Sequence, residues 1–353
     1  MASPEIIQAL RGGKLASVRA AIQADPQKAR SPRAVVEAGR LAFQKAFELL
    51  VRNGADLNAI WRGYRPLHSL LQEDPHATAG KPSPERLACL EWLLAHGADP
   101  EQPGAWPPAR AIIIAAFVGA PEYVKRLERA GAKIDGFAAA ALGRKSLVER
   151  TLRKHQDFAH ERDTGGLTAL QCTAGSRFNR EALLQIAHVL LDAGAEVKAR
   201  TKSWLHEVDA VYFAASARNK PTFELLLERG ADATEALAPA CWNASTDFAE
   251  VALAHGANPD RAASDGRPLL NDLIRWGQIP STLWLLAHGA SPNIADARGW
   301  TAVHQAASRG NQRMLRAVLD AGGDLSVRDK EGNTPRDIAS REKLIAMMKQ
   351  WGT

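Results

Sequence analysis

From Asn311 to Gly323 the chain reads NQRMLRAVLDAGG, with apolar side chains at Met314, Leu315, Val318 and Leu319. The i, i+1, i+4, i+5 spacing gathers them on one stripe of a helix and turns the polar positions to water. Before it, WTAVHQAA (Trp300–Ala307) predicts a shorter helix whose alanines permit close helix contact. Arg309–Gly310 ends that first helix and Gly322 ends the second, since glycine enters left-handed backbone cheaply. The following DLSVRDKEGNT is polar and predicts an extended hairpin leading back to another helix. The closing phrase recurs as LLAHGADP from Leu93 and LLAHGASPN from Leu285, and in worn forms from Leu50, Leu127, Leu190, Leu226, Leu253 and Leu319.

The glycines of these phrases, Gly54, Gly97, Gly131, Gly194, Gly230, Gly256, Gly289 and Gly322, are separated by 43, 34, 63, 36, 26, 33 and 33 residues. A period near 33 belongs to helical repeat architectures, in which one helix pair cannot bury its own stripe and must stack on copies of itself. The 63-residue gap hides a degenerate pair, AAAALGRKSLVERTLRKHQ from Ala138, with His155–Gln156 where other repeats have Gly–Ala.

The phrases GYRPLHSLL (Gly63–Leu71), GLTALQ (Gly166–Gln171), GWTAVHQAA (Gly299–Ala307) and GNTPRDIA (Gly332–Ala339) resemble the ankyrin repeat family, whose pattern is G-x-TPLH-x-AA-x-x-G, a helix ending in LL, then GAD-x-N. The resemblance covers essentially the whole chain, about eleven repeats with caps. It implies an all-α repeat solenoid, a curved stack of helix-turn-helix units with β-hairpin fingers. In that frame residues 1–353 form a single solenoid, with an N-terminal capping unit at 1–30, repeats over 31–328 and a C-terminal capping unit at 329–353. Insertions fall near 72–84 and 176–180, lengthening turns between helices, and at 201–203, enlarging a finger. The repeats at Gly136–Gln156 and Thr234–Gly256 lack the hairpin, because GAKIDGF and GADATEAL pass straight into helix.

Residues 1–70 carry 11 Lys/Arg against 5 Asp/Glu, and the rest of the chain balances 34 against 34, so the whole formal charge of +6 sits in the first fifth. Such an end attracts an acidic protein, nucleic acid or an anionic surface, and a solvated basic surface with no partner explains it as well. No apolar run reaches the length of a membrane span, and the N-terminal residues have no secretion-signal pattern. Cys89, Cys172 and Cys241, without CxxC spacing, fit neither a disulfide framework nor a zinc finger; they take buried helix slots and suggest a reducing cytoplasm. A metal site from His76, Cys89 and His96 matches no zinc spacing, and no cofactor is expected.

The resemblance gives His68 and His304 a structural part, tethering neighbouring hairpins by hydrogen bonds, with Tyr212 in the same slot. His96, His255 and His288 precede a helix-ending glycine, where a donor suits the free carbonyls. No recurring nucleophile or matched carboxylate pair emerges, which argues against an enzyme. Among nine tryptophans, Trp92 and Trp284 sit beside LL pairs and are expected in the core. Trp61, Trp106 and Trp204 fall in fingers, Trp300 and Tyr64 follow finger glycines, and Trp242 and Trp276 end first helices. With Arg62, Arg65 and Arg298 beside them, these are the expected partner-binding residues, since Trp, Tyr and Arg dominate interface hot spots; packing between fingers is the competing explanation. The expected function is a non-enzymatic scaffold that binds another protein, acidic or a toxin, on its concave face, as bacterial ankyrin immunity proteins that inhibit toxic enzymes do. The alternatives are an adaptor or delivered effector, or nucleic-acid or anionic-surface binding through the basic end. The free chain is expected to be cytoplasmic and monomeric.

Overall fold

The computed structural model describes residues 4–72, 80–203, 206–261 and 267–339. Trp204, His76, most of the insertion near 72–84 and the C-terminal capping unit from 340 onward lie outside the described residues. Two compact units divide the chain, the first from residues 1–204 with 221–225 and the second from 205–220 and 226–353.

In the first unit helices follow in pairs: α1 (Pro4–Arg11) with α2 (Leu15–Ala24), α3 (Pro32–Arg40) with α4 (Gln44–Arg52), α5 (Pro66–Gln72) with α6 (Pro84–Ala95). Then come α7 (Ala111–Val118) with α8 (Pro121–Arg129), α9 (Gly136–Ala141) with α10 (Lys145–Lys154) and α11 (Ala169–Ala174) with α12 (Arg180–Asp192). Two three-residue strands, β1 (Thr201–Ser203) and β2 (His206–Val208), form a small sheet at the expected enlarged finger. From there run α13 (Ala210–Ala217), α14 (Lys220–Glu228), α15 (Leu237–Trp242), α16 (Thr246–Ala254), α17 (Leu269–Arg275), α18 (Ile279–Ala287), α19 (Ala302–Arg309), α20 (Gln312–Asp320) and the short α21 (Pro335–Ile338).

Local chemistry starts and stops these helices. The Thr168 hydroxyl accepts from the Gln171 amide while the Gln171 side chain returns to the Thr168 amide, a reciprocal cap repeated at Thr301–His304 and Thr334–Asp337. Pro84 opens α6 behind the Ser83 cap, its missing N–H costing nothing in the first turn. First helices pack on first helices: Gly39 of α3 lies so close to α5 that a Cβ there would stand 2.3 Å from the Pro66 carbonyl oxygen. The run AIIIAAFV of α7 is apolar on every side, and Ala111–Ala116 are all buried, as a helix without a polar stripe must be. In the second unit Leu270, Leu273, Ile274, Leu285, Ala302, Val303, Met314, Leu315 and Val318 form one core drawn from successive repeats.

Both hairpinless repeats exist, and an arginine from a neighbouring finger occupies each gap. Arg110, buried, bonds Asp135 at 2.6 Å, Glu101 at 3.2 Å and the Lys133 carbonyl, and Asp135 caps α9 through the Ala138 amide. Arg261 reaches Asp232 at 2.7 Å and Glu235 at 2.5 Å, where Asp232 caps the short 3-10 turn Ala233–Ala236 before α15.

Trp92 and Trp284, expected in the core, reach it with part of each ring: Trp92 lies against the fully buried Phe47 with ring centroids 6.0 Å apart, and Trp284 packs against the core of the second unit. Each is half-buried and stacks on the histidine four residues later, with ring centroids 4.0 Å (His96) and 4.1 Å (His288) apart.

Candidate protein-binding surfaces

In the first unit the finger between α4 and α5 closes with Trp61 and Tyr64 paired through both backbone bonds, 2.9 and 3.0 Å. Arg62 (φ 51°) and Gly63 (φ 85°) both take left-handed backbone, the geometry that matches the twist of a tight hairpin. The turn leaves Ile60 53% exposed and Arg62 exposed, and it sets two guanidinium groups over the half-buried Trp61 ring, Arg62 at 4.9 Å and Arg33 at 5.3 Å.

Trp106, from the next finger, packs inward. Its indole N–H donates to the Arg62 carbonyl at 2.9 Å, Ala105 N–H donates to the Gly63 carbonyl at 2.9 Å, and Gln72 Nε2 donates to the Trp106 carbonyl at 3.1 Å. A Cβ on Gly63 would stand 2.6 Å from the Trp106 ring, so the glycine there serves a close approach as well as a turn. Arg65 is also turned inward, its guanidinium donating to the carbonyls of Pro103 and Asn58.

The second unit repeats the division. Trp300 is half-buried: its indole N–H donates to Asp329 at 3.1 Å, and its ring lies beside His304. Arg298 covers that ring at 4.1 Å while pairing with Asp296 at 2.9 Å. Trp276, 62% exposed, and Trp242, 39% exposed, present ring surface to solvent, with the Arg275 guanidinium 5.6 Å from the Trp276 ring. The predicted residues therefore fall into two kinds. Trp106, Arg65, Trp300 and Arg298 are held by neighbouring fingers or by their own, and Trp61, Arg62, Trp242 and Trp276 offer surface; Tyr64 is half-buried.

Sequence reasoning overlooked Ile60, Arg33 and Arg275. Ile60 carried a signal: it is a large aliphatic one residue before Trp61, in a finger, where no helical stripe could bury it. The first unit also holds a cavity of about 500 Å³ lined by Leu10, Arg11, Leu41, Phe43, Glu85 and Arg86, which no periodicity announces.

The histidines of the finger slots and the three cysteines serve structure. His68 is fully buried, and its Nε2 donates to the Ala109 carbonyl at 2.9 Å across to the next finger. Its Nδ1 finds no donor and faces Gly104, and burial pushes the imidazole down to about 4, so the ring is neutral. His304 donates from Nε2 to the Asn333 carbonyl at 3.3 Å, and Gln171 does the same work to the Ala199 carbonyl at 2.8 Å. Tyr212 departs from the tether: its hydroxyl pairs with Ser216 on its own helix. All three cysteines are buried free thiols, and burial pushes Cys89 and Cys241 up to about 12. The basic end is partly neutralised from within. Burial alone would raise the Glu37 carboxyl, but Arg40 and Arg11, each 2.7 Å away, hold it below the usual carboxylate range, and Lys28 pairs with Glu5 at 2.6 Å.

Among the described residues no helix is long and apolar enough to cross a membrane. A family model described as ankyrin repeats in many copies matches residues 285–339. An ankyrin repeat-containing protein of Schizosaccharomyces pombe is 39% identical over 83 residues, 24% of this chain and 35% of that protein. A putative ankyrin repeat-containing protein of Treponema pallidum is 27% identical over 170 residues, 47% of this chain and 57% of that protein. The chain thus spans about a third of the first and just over half of the second. Cyclin-dependent kinase 4 inhibitor B of Bos taurus is 37% identical over 104 residues, 29% of this chain and 79% of that protein. The repeat period, the paired helices, the histidine tethers between fingers and these likenesses agree, and the chain belongs to the ankyrin repeat family.

Proposed function

We propose that the chain is a non-enzymatic protein-interaction scaffold and that its partner is another protein, engaged first through the finger tip Ile60–Trp61–Arg62. The observation carrying this reading is that tip: an exposed aliphatic side chain, a half-buried indole and an exposed guanidinium sit together on a turn that is hydrogen-bonded to the next finger. Rigid aromatic and arginine anchors lose little entropy on binding and dominate interface energies. The finer form of the proposal is a cytoplasmic bacterial immunity or inhibitor protein that neutralises a toxic enzyme by covering it. The relative Cyclin-dependent kinase 4 inhibitor B of Bos taurus, whose name describes inhibition of an enzyme, supports that form.

Capture from native lysate tests it, with Ile60→Asp/Arg62→Glu as the paired variant. The expected result is one dominant protein, an enzyme whose activity falls on binding, present with wild type and lost with the variant. Recovery of nucleic acid alone, abolished by nuclease, would overturn the proposal and move binding to the basic end.

A further inference from the structure

The turns that join first to second helices in the second unit carry segregated charges. Segments 216–220, 242–247, 275–280 and 308–313 contain Arg218, Lys220, Arg275, Arg309 and Arg313 against a single acid, Asp247. The stretch 205–339 as a whole has 13 Lys/Arg and 17 Asp/Glu, so this basic edge belongs to a chain segment that is otherwise acidic. Arg218, Arg275, Arg309 and Arg313 are exposed, and so are Trp242 and Trp276.

These turns are neighbours. Asn243 Nδ2 donates to the Ser216 carbonyl at 3.4 Å, and Ser281 Oγ donates to the Cys241 carbonyl at 2.6 Å. The next step follows from the common core of α17 and α19, through Leu273, Ile274, Ala302 and Val303. Beside the Trp242–Ser245 turn is a recess of about 80 Å³ floored by Ala240, Ala244, Ala249 and Pro280 and walled by Trp284. Ser245, Thr246 and Ser281 also line it, its exposed surface is mainly apolar, and its volume suits an aliphatic group. The edge therefore presents two indoles and an apolar recess between guanidinium groups.

We propose that this edge docks an acidic protein segment in which apolar side chains alternate with carboxylates. Such a segment would set its carboxylates on Arg218, Arg275 and Arg309 and its apolar groups on Trp242, Trp276 and the recess. A carboxylate matches the planar guanidinium fork, and Arg275, 5.6 Å from the Trp276 ring, sets one such fork beside an exposed indole. The acidic remainder of the segment opposes a polyphosphate, whose charge is dense and continuous, more than a peptide with a few spaced carboxylates. This inference does not depend on the finger tip, and the two fail separately.

Fluorescence anisotropy on the full chain tests it with three labelled probes at physiological salt: a peptide of about 12 residues repeating Glu-Glu-Leu-Phe, its counterpart with Lys for Glu, and a thymidine oligonucleotide of similar length. The acidic peptide is expected to bind at roughly 10–100 μM, the weak range of a small transient contact. Arg275→Glu/Arg309→Glu should weaken it by about tenfold or more and Trp276→Ala by about fivefold, while Trp276→Phe retains most binding and Ile60→Asp leaves it unchanged. All of these positions are exposed, and unchanged circular dichroism certifies each variant as folded. Equal binding of the Lys peptide, tighter binding of the oligonucleotide, insensitivity to the Arg275/Arg309 change, or no binding of the acidic peptide would each overturn the proposal.

Discussion

His68 concentrates what a single residue contributes. Its imidazole is neutral when folded, about 4 against an ordinary 6.5, because burial opposes a charge and Nδ1 has no partner to share a second proton with. The unfolded chain therefore binds a proton that the folded chain refuses as pH drops below about 6.5. Stability is full above that value and is lost as pH falls towards 4, by on the order of 3 kcal/mol. His304, also lowered chiefly by burial, adds in the same direction. His68→Gln copies the residue that serves the same slot at Gln171, so its melting temperature should fall less than wild type's between pH 7 and pH 4.5; equal losses would mean that His68 is not the titrating group. The tryptophans divide by contacts rather than by slot. Trp106→Ala should cost about 2 kcal/mol, since it removes a half-buried ring and its bond to the Arg62 carbonyl, whereas Trp276→Ala should stay within about 0.5 kcal/mol in the same denaturant titration. Position in the repeat told which rings stand in fingers. It could not tell that Trp106 lies on Gly63, a contact 43 residues away in sequence that depends on how two fingers lean together.

At the scale of elements, the repeated WLLAHGA has a physical reading. The tryptophan carbonyl accepts from His Nδ1 four residues on, 2.7 Å at both Trp92–His96 and Trp284–His288, while the rings stack and the glycine reverses the chain. The first leucine after each tryptophan, Leu93 and Leu285, is fully buried and the second is only half-buried. Leu285→Ala should therefore cost about 2–5 kcal/mol in the denaturant midpoint, and Leu286→Ala clearly less. Helix pairs and the two missing hairpins were legible from spacing, because period and glycine placement are local. The arginines that fill the missing hairpins were not, because Arg110 meets Asp135 and Arg261 meets Asp232 only once neighbouring repeats stack. Their burial separates their weight. Arg110→Met should destabilise by about 2 kcal/mol, as its carboxylate partners keep some water (side chains 28% and 47% exposed) and are not stranded completely. Arg261→Met, losing a cation that is itself 37% exposed, should cost less than about 1 kcal/mol.

Across the whole molecule, a chain built from repeats keeps its contacts short in sequence, so disturbance should stay near its source. Leu285 touches a core assembled from Cys241, Leu270, Leu273, Ile274, Ala302, Val303, Met314 and Leu315, which come from its own and adjacent repeats. In such an array stability is a sum of repeat terms and nearest-neighbour terms, and local opening is governed by the weakest interface. Removing the Leu285 side chain lowers the terms that join α17, α18 and α20. Hydrogen exchange followed by mass spectrometry should then show faster exchange of Leu285→Ala amides in α15 to α20, while α3 to α8 keep wild-type rates. Leu90→Ala, whose side chain is fully buried in the first unit, should give the reverse distribution. If either substitution instead accelerates exchange evenly from α1 to α20, the chain opens as one cooperative body. A single exposed edge could then not be altered without touching the rest. Local confinement is what allows the finger tip at Ile60–Arg62 and the basic edge at Arg275–Arg309 to be varied one at a time, so this exchange pattern decides how cleanly the two binding proposals can be told apart.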